Sequence, residues 1–172
     1  MPDVYLIRHA APAARGVFLG RLDPPLDPDA IAQARLALGG LHCEAVYASP
    51  LRRARETAAL IPGHPCAVIL EDLMELGLGE WDGKPWQEIE RRWPLLARRK
   101  AADWLGVTPP GGESWDDLLR RAARALETVR GGPLPAAVVA HQAVNAALAQ
   151  LIAGRDPLSF QQRYCEVIPC DL

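Results

Sequence analysis

Two stretches far apart in the chain share one pattern, and that pattern restricts the fold more than any other feature. Val4-Tyr5-Leu6-Ile7 runs directly into Arg8-His9, and Ala136-Ala137-Val138-Val139-Ala140 runs directly into His141-Gln142. A short apolar run that ends abruptly in polar residues reads as a strand buried on both faces, the kind found in parallel sheets. Shorter apolar runs at Ala45–Ala48 and Cys66–Leu70 read as further strands, and Tyr164–Pro169 as a last one. Between them, apolar residues recur at helical spacing, as in Ile31-Ala34-Leu38 and Leu118-Ala122-Leu126-Val129, and Ala143–Ile152 reads as another helix. Strands alternating with helices predict an α/β fold. A length of 172 residues suggests a single domain over 1–172.

In open α/β sheets, ligands bind outside the carboxyl ends of the strands. Arg8-His9 and His141 would therefore meet at one sheet edge, and the repetition matters more than either histidine alone. The Pro- and Gly-rich stretch after His9 predicts a long loop. Arg15 and Arg21 add positive charge there, and Gly16 and Gly20 allow close backbone approach to a ligand. Ser49 is expected as an N-cap, with Pro50 at the first helical position. Arg52, Arg53 and Arg55 follow, and cations at a helix N-terminus oppose its dipole, so a bound anion is the better reason for them. Another Gly-rich stretch carries Glu71, Glu75, Glu80 and Asp82, any of which could serve as a general acid, and spacing does not choose among them.

The remaining elements are expected as follows. Asp27 or Asp29 caps a helix that Gly39-Gly40 stop. Pro85 opens a helix interrupted near Pro94, with Arg91, Arg92, Arg98, Arg99 and Lys100 on its wet face. Ser114 and Asp117 resemble a capping box. His42 and His64 are read as surface residues of turns.

Composition narrows the function classes. A formal net charge of -2 argues against a nucleic-acid partner. No apolar run reaches the roughly 18 residues of a membrane helix, and the first residues lack the pattern of a signal peptide. Cys43, Cys66, Cys165 and Cys170 form no C-x-x-C pair and are poorly clustered with the four histidines. No metal is expected, and the thiols read as reduced cysteines of a cytoplasmic protein.

Taken together the motifs resemble the histidine phosphatase superfamily, also called phosphoglycerate mutase-like. Leu6-Ile7-Arg8-His9, Phe18–Leu26, Ser49–Ala58, Leu73–Gly83 and Val138–Val144 match its segments in order. Pro110-Gly111-Gly112-Glu113-Ser114-Trp115, with Arg121 after it, is similar to its small phosphatases, including α-ribazole phosphatases. Ala10-Ala11-Pro12 depart from the usual Gly and acid-Thr pair. The resemblance implies a three-layer α/β/α sandwich with a mostly parallel central sheet. It implies metal-independent hydrolysis of a small phosphate ester through phosphohistidine, without a cofactor. His9 would be the nucleophile, Glu75 the proton donor, and Arg8, Arg53 and a cationic His141 the phosphate clamp. Arg15, Gly20, Arg21, Gln142 and the Gly111-Gly112-Glu113 loop are candidates for contact with the rest of the substrate. The alternatives are phosphoglycerate mutase-type transfer and a catalytically silent binding module. A homodimer is also open, and Trp86, Trp93 and Trp104 could serve as lid, core or interface.

Overall fold

The computed structural model describes residues 2–64 and 66–172. Five strands form one sheet: β1 (Val4–Arg8), β2 (Ala45–Ala48), β3 (Val68–Ile69), β4 (Ala136–Ala140) and β5 (Val167–Cys170), in the order β3-β2-β4-β1-β5. The first four are mutually parallel, and only β5 runs antiparallel, against β1. β4 lies at the centre, which is why all five of its residues are apolar and buried.

Alternate strand residues pack on opposite layers, as the two-residue period requires. Val4, Leu6, Val138 and Ala140 pack against Leu118, Leu126 and Val129 of α5 (Trp115–Arg130) and Val144 and Leu148 of α6 (Gln142–Ala153). Ile7, Val46, Ala48, Ala137 and Val139 pack against Leu38 of α1 (Pro28–Leu38) and Ala54 and Ala58 of α2 (Arg52–Ala58). The sandwich is therefore three-layered. A smaller aromatic cluster of Trp81, Trp86, Trp93 and Phe18 gathers around α3 (Trp86–Arg92) and α4 (Pro94–Ala102).

Local chemistry fixes the element ends. Asp27, rather than Asp29, caps α1 by accepting from the Asp29 N–H. Ser114 and Asp117 close a full capping box on α5. Pro85 precedes α3, and Trp93 leaves helical geometry (φ -131°) just before Pro94 restarts the chain as α4, so the expected interruption separates two helices.

Four expectations need correction. α2 begins at Arg52 behind an uncapped Leu51, and Ser49 and Pro50 lie outside it. β3 covers only Val68–Ile69 of the expected 66–70, because an edge strand has a single neighbour to pair with; Pro65 lies outside the described residues. Lys100 is buried, with Nζ donating to the Val107 carbonyl (2.6 Å) over the Trp104 ring. His64 is half-buried, and its Nε2 bonds the Cys43 carbonyl (2.9 Å). Among the described residues no helix is long and apolar enough to cross a membrane.

Candidate active site

Strand register places the two histidines together. Arg8 pairs with Ala140 across β1 and β4, so the next residues, His9 and His141, leave the sheet side by side. The His9 N–H donates to the Ala140 carbonyl (3.0 Å), extending the ladder one step. The two ring centroids are 5.0 Å apart. His9 Nδ1 lies 2.7 Å from the Ala10 carbonyl, which can only accept. The proton therefore sits on Nδ1, and the lone pair of the neutral ring is on Nε2. Ala10 itself is buried without a positive φ, and its N–H donates to Thr57 Oγ1 (2.9 Å), so the glycine usual in the resembling family is not required here.

Ser49 is not a helix cap but a partner of His141: its Oγ lies 2.8 Å from His141 Nε2. It reaches that position because β2 runs beside β4, and the Ser49 N–H donates to the Val139 carbonyl (3.1 Å).

Two guanidinium groups flank the rings, each held from behind. Arg8 donates from Nη1 to the Gln162 carbonyl (2.7 Å) and lies over the Tyr164 ring at 4.3 Å. Its own carbonyl accepts from Cys165, the one non-glycine residue with positive φ (59°) among those described. Arg53, fully buried, donates from Nη2 to the Gly20 carbonyl (2.9 Å) and from Nη1 to the Leu22 carbonyl (2.8 Å). The turn bearing those carbonyls is pinned by Asp82, whose carboxylate accepts from the N–H groups of Gly20, Arg21 and Leu22 at 2.7–2.8 Å. Asp82 thus positions Arg53 through the backbone.

Of the four candidate acids, Glu71, Glu75, Glu80 and Asp82, Glu75 enters the site. Its carboxylate accepts from the Leu76 N–H (2.8 Å) and the Ala143 N–H at the start of α6 (3.3 Å). The segment that carries it is gripped by Arg121, which donates to the carbonyls of Asp72, Met74 and Glu75 and pairs with Glu113 at 2.6 Å. Burial raises the Glu75 pKa, and the two backbone bonds and the fields of Arg53 and Arg8 do not cancel that rise. Burial lowers His9 to about 3; its bond to Ala10 opposes the shift, and Arg53 and Arg8 add to it. Burial also holds His141 well below the ordinary value, with His9 and Arg53 contributing. The expected cationic His141 is therefore corrected: within the protein alone it is neutral.

A cavity of about 500 Å³ opens over Arg8, His9 and Glu75, and its wall includes Arg15, Gln142 and Ala143. The other candidates lie elsewhere. Gly20 is buried under Leu76, its added Cβ would meet the Leu76 carbonyl at 2.8 Å, and its peptide serves Asp82 and Arg53. Arg21 points to a separate hollow, against Glu113 and the Met74 sulfur. Gly111, Gly112 and Glu113 line that hollow too. Of the three arginines around the start of α2 only Arg53 faces the site; Arg52 pairs with Glu56 (2.5 Å) and Arg55 is exposed. Gln162 and Tyr164, which seat Arg8, carry no spacing signal, and neither does the contact of Asp82 with a turn 60 residues earlier.

The chemistry available here is specific. A neutral imidazole with a free Nε2 stands among two guanidinium groups, a second imidazole and a carboxyl group of raised pKa. Arg8 Nε, Arg53 Nε and His141 Nδ1 are buried with no hydrogen-bond partner. Buried donors left unpaired are costly, and an oxyanion would satisfy them.

Over most of its length the chain is similar to known proteins. A family model described as "Histidine phosphatase superfamily (branch 1)" matches residues 4–169. A bifunctional protein of Mycobacterium tuberculosis is 37% identical over 118 residues, 65% of this chain but 32% of that longer protein. Phosphoserine phosphatase 1 of Hydrogenobacter thermophilus is 34% identical over 137 residues, 76% of this chain and 65% of that one. The crystal structure of the alpha-ribazole phosphatase from Shigella flexneri superposes with a TM-score of 0.79 over 91% of this chain and 82% of that one. At 24% identity that last likeness speaks to the fold alone.

The buried histidines make stability depend on pH. Their pKa values in the folded state lie below the unfolded 6.5, so the unfolded chain binds more protons in acid. Stability from this source is complete above pH 6.5 and is lost as pH falls towards about 3. In urea unfolding at pH 7.0 and 4.5, His9→Asn should lose less stability between the two values than the parent, by roughly 2–3 kcal/mol.

Proposed function

The chain belongs to the histidine phosphatase superfamily, branch 1, and on that premise we propose that it hydrolyses small phosphomonoesters through a phosphohistidine intermediate. The observation that carries the proposal is the pairing of His9 with His141, ring centroids 5.0 Å apart, among buried nitrogens of Arg8, Arg53 and His141 that lack partners. A phosphate ester dianion supplies what those groups need: several acceptor oxygens on a single tetrahedral centre.

In the first half-reaction His9 Nε2 attacks phosphorus in line with the ester oxygen. The N–P bond forms as the P–O bond breaks, and Glu75 gives its proton to the departing alkoxide. Arg8 and Arg53 hold the equatorial oxygens, and their rigid seats mean that little reorganisation is needed as charge moves. The dianion also raises the pKa of His141, opposing the burial that keeps it neutral, so its ring can donate to the phosphoryl group. In the second half-reaction Glu75, now a carboxylate, takes a proton from water. The new P–O bond forms, the N–P bond breaks, and inorganic phosphate leaves. The positive charge comes from arginines, so no metal ion is assigned a step.

A phosphatase is favoured over a mutase because the cavity is open at its rim, where Trp104 and Tyr164 are 41% and 45% exposed. A mutase must instead keep water from its phosphohistidine.

Three outcomes follow. With p-nitrophenyl phosphate and EDTA present, the parent should turn over, whereas His9→Ala should lose turnover and acid-labile phosphate labelling while keeping its circular dichroism. Turnover by His9→Ala would reject the mechanism. Glu75→Gln should lower kcat by about 10²–10⁴ for alkyl phosphates, but far less for p-nitrophenyl phosphate, whose leaving group needs no proton. Asp82→Ala should lower kcat/KM by roughly 10–100-fold, as loss of an outer support does. In an Arg53→Ala background the same change should cost almost nothing, because it acts through that guanidinium.

A further inference from the structure

The two histidines at the sheet edge are held at opposite nitrogens, and this decides what each ring shows to the space between them. His9 Nδ1 faces the Ala10 carbonyl (2.7 Å), which can only accept, so the ring keeps its proton there and offers a lone pair from Nε2. His141 is held at the other end of its ring. Its Nε2 lies 2.8 Å from Ser49 Oγ, and its Nδ1 is the buried atom without a partner.

A hydroxyl can give or take a hydrogen bond, so that distance alone does not say which nitrogen of His141 carries the proton. The surroundings of Ser49 do. Ser49 is fully buried, and among the described residues its Oγ has two hydrogen-bonding neighbours: the Leu51 N–H (3.3 Å) and His141 Nε2. The Leu51 amide nitrogen donates and cannot accept. The hydroxyl hydrogen of Ser49 therefore has a single acceptor within reach, the lone pair of Nε2. With a proton on Nε2 instead, Ser49 would face two donors and bury its own hydrogen unpaired. The cost of such an orphan favours the first arrangement by roughly 10–100-fold.

Nothing nearby offsets that cost. The backbone of Ser49 is tied to β4 through its N–H on the Val139 carbonyl (3.1 Å), next to the paired Ala48 and Val139. Burial holds the His141 pKa well below the ordinary value, and the fields of His9, Arg53, Arg121 and Arg8 all act in the same direction.

We propose that Ser49 is a positioning residue that fixes His141 as the tautomer protonated on Nδ1, so that the ring presents an N–H to the phosphoryl oxygens before any ester binds. The assignment rests on the phosphatase reading of the same site. It gives two imidazoles 5.0 Å apart complementary tasks: His9 supplies a lone pair for phosphorus, and His141 supplies a hydrogen for oxygen. A second proton drawn onto Nε2 by the bound dianion would add charge, but the hydrogen bond does not wait for it. It also gives the serine a task that helix capping does not, since α2 starts at Arg52 behind an uncapped Leu51.

The test has one readout that needs no turnover. Long-range proton–nitrogen spectra of nitrogen-15-labelled protein at mildly alkaline pH distinguish the two tautomers. His141, identified among the four histidines by the signals lost in His141→Ala, should show a protonated Nδ1 and a bare Nε2. In Ser49→Ala this preference should collapse to a mixture. A protonated Nε2 with a bare Nδ1 in the parent would overturn the proposal outright. The second readout is kinetic. Threonine and valine share a shape and differ by the hydroxyl, so kcat of Ser49→Val should fall below that of Ser49→Thr by roughly 10–100-fold, with KM changing less. Equal kcat values would overturn the positioning role. In a His141→Ala background, Ser49→Ala should cost almost nothing further, whereas a full additional loss would mark Ser49 as merely structural and overturn the role as well. A parent inert towards every ester, with His141 still protonated on Nδ1, would reject the phosphatase reading and leave the tautomer assignment standing.

Discussion

The single constraint on which the site depends is the parallel pairing of β1 with β4 in the register that sets Arg8 opposite Ala140. A shift of one residue would turn every side chain of β1 to the other layer and part His9 from His141. The register is protected by burial, since Leu6 and Ile7 sit in different layers of the core and neither tolerates the exchange. The forces that pack the sandwich also set the spacing of two imidazoles at its edge. Precision comes from the sheet, and charge comes from Arg8 at the end of β1 and Arg53 in the first turn of α2.

Those two residues concentrate positive charge where the interior can least tolerate it. Arg8 and Arg53 lie close to two buried histidines, and both rings stay neutral beside them, while burial raises the pKa of the nearby Glu75 against the pull of the same two cations. Each cation is braced through backbone carbonyls, Gln162 behind Arg8 and Gly20 and Leu22 behind Arg53. Carbonyl oxygens orient a guanidinium without cancelling its charge, and the nearest carboxylate to Arg53, that of Asp23, stands off at 3.5 Å from Nη1. Asp82 keeps its carboxylate one step back, on the amides of the turn.

Much of this could be read from the chain. The apolar runs 4–7 and 136–140 were sufficient for an α/β sheet, because only doubly covered parallel strands are apolar throughout, and the residues that followed them pointed to one edge. Ser114 and Asp117 announced α5 because a capping box is local chemistry. Local signals failed where tertiary partners decide. Ser49 looks like a helix cap but bonds His141, and Lys100 looks like a solvated cation but is buried against Val107. Among Glu71, Glu75, Glu80 and Asp82 nothing in the spacing distinguishes the acid at the site from the acid that pins a turn. That distinction depends on where α6 begins and where residues 20–22 return, which are long-range facts.

The seat of Arg8 has one further consequence, for how the protein is made. The carbonyl that holds this guanidinium belongs to a residue 154 positions later, and the turn through Cys165 and the pairing of β5 with β1 come later still. The ribosome must therefore release the chain from Arg8 to Gln162 before that arginine can be seated. Products that stop short of Gln162 carry His9 and Arg53 but lack the bracket that holds Arg8, so the site is completed abruptly, when residues 162–170 close onto β1.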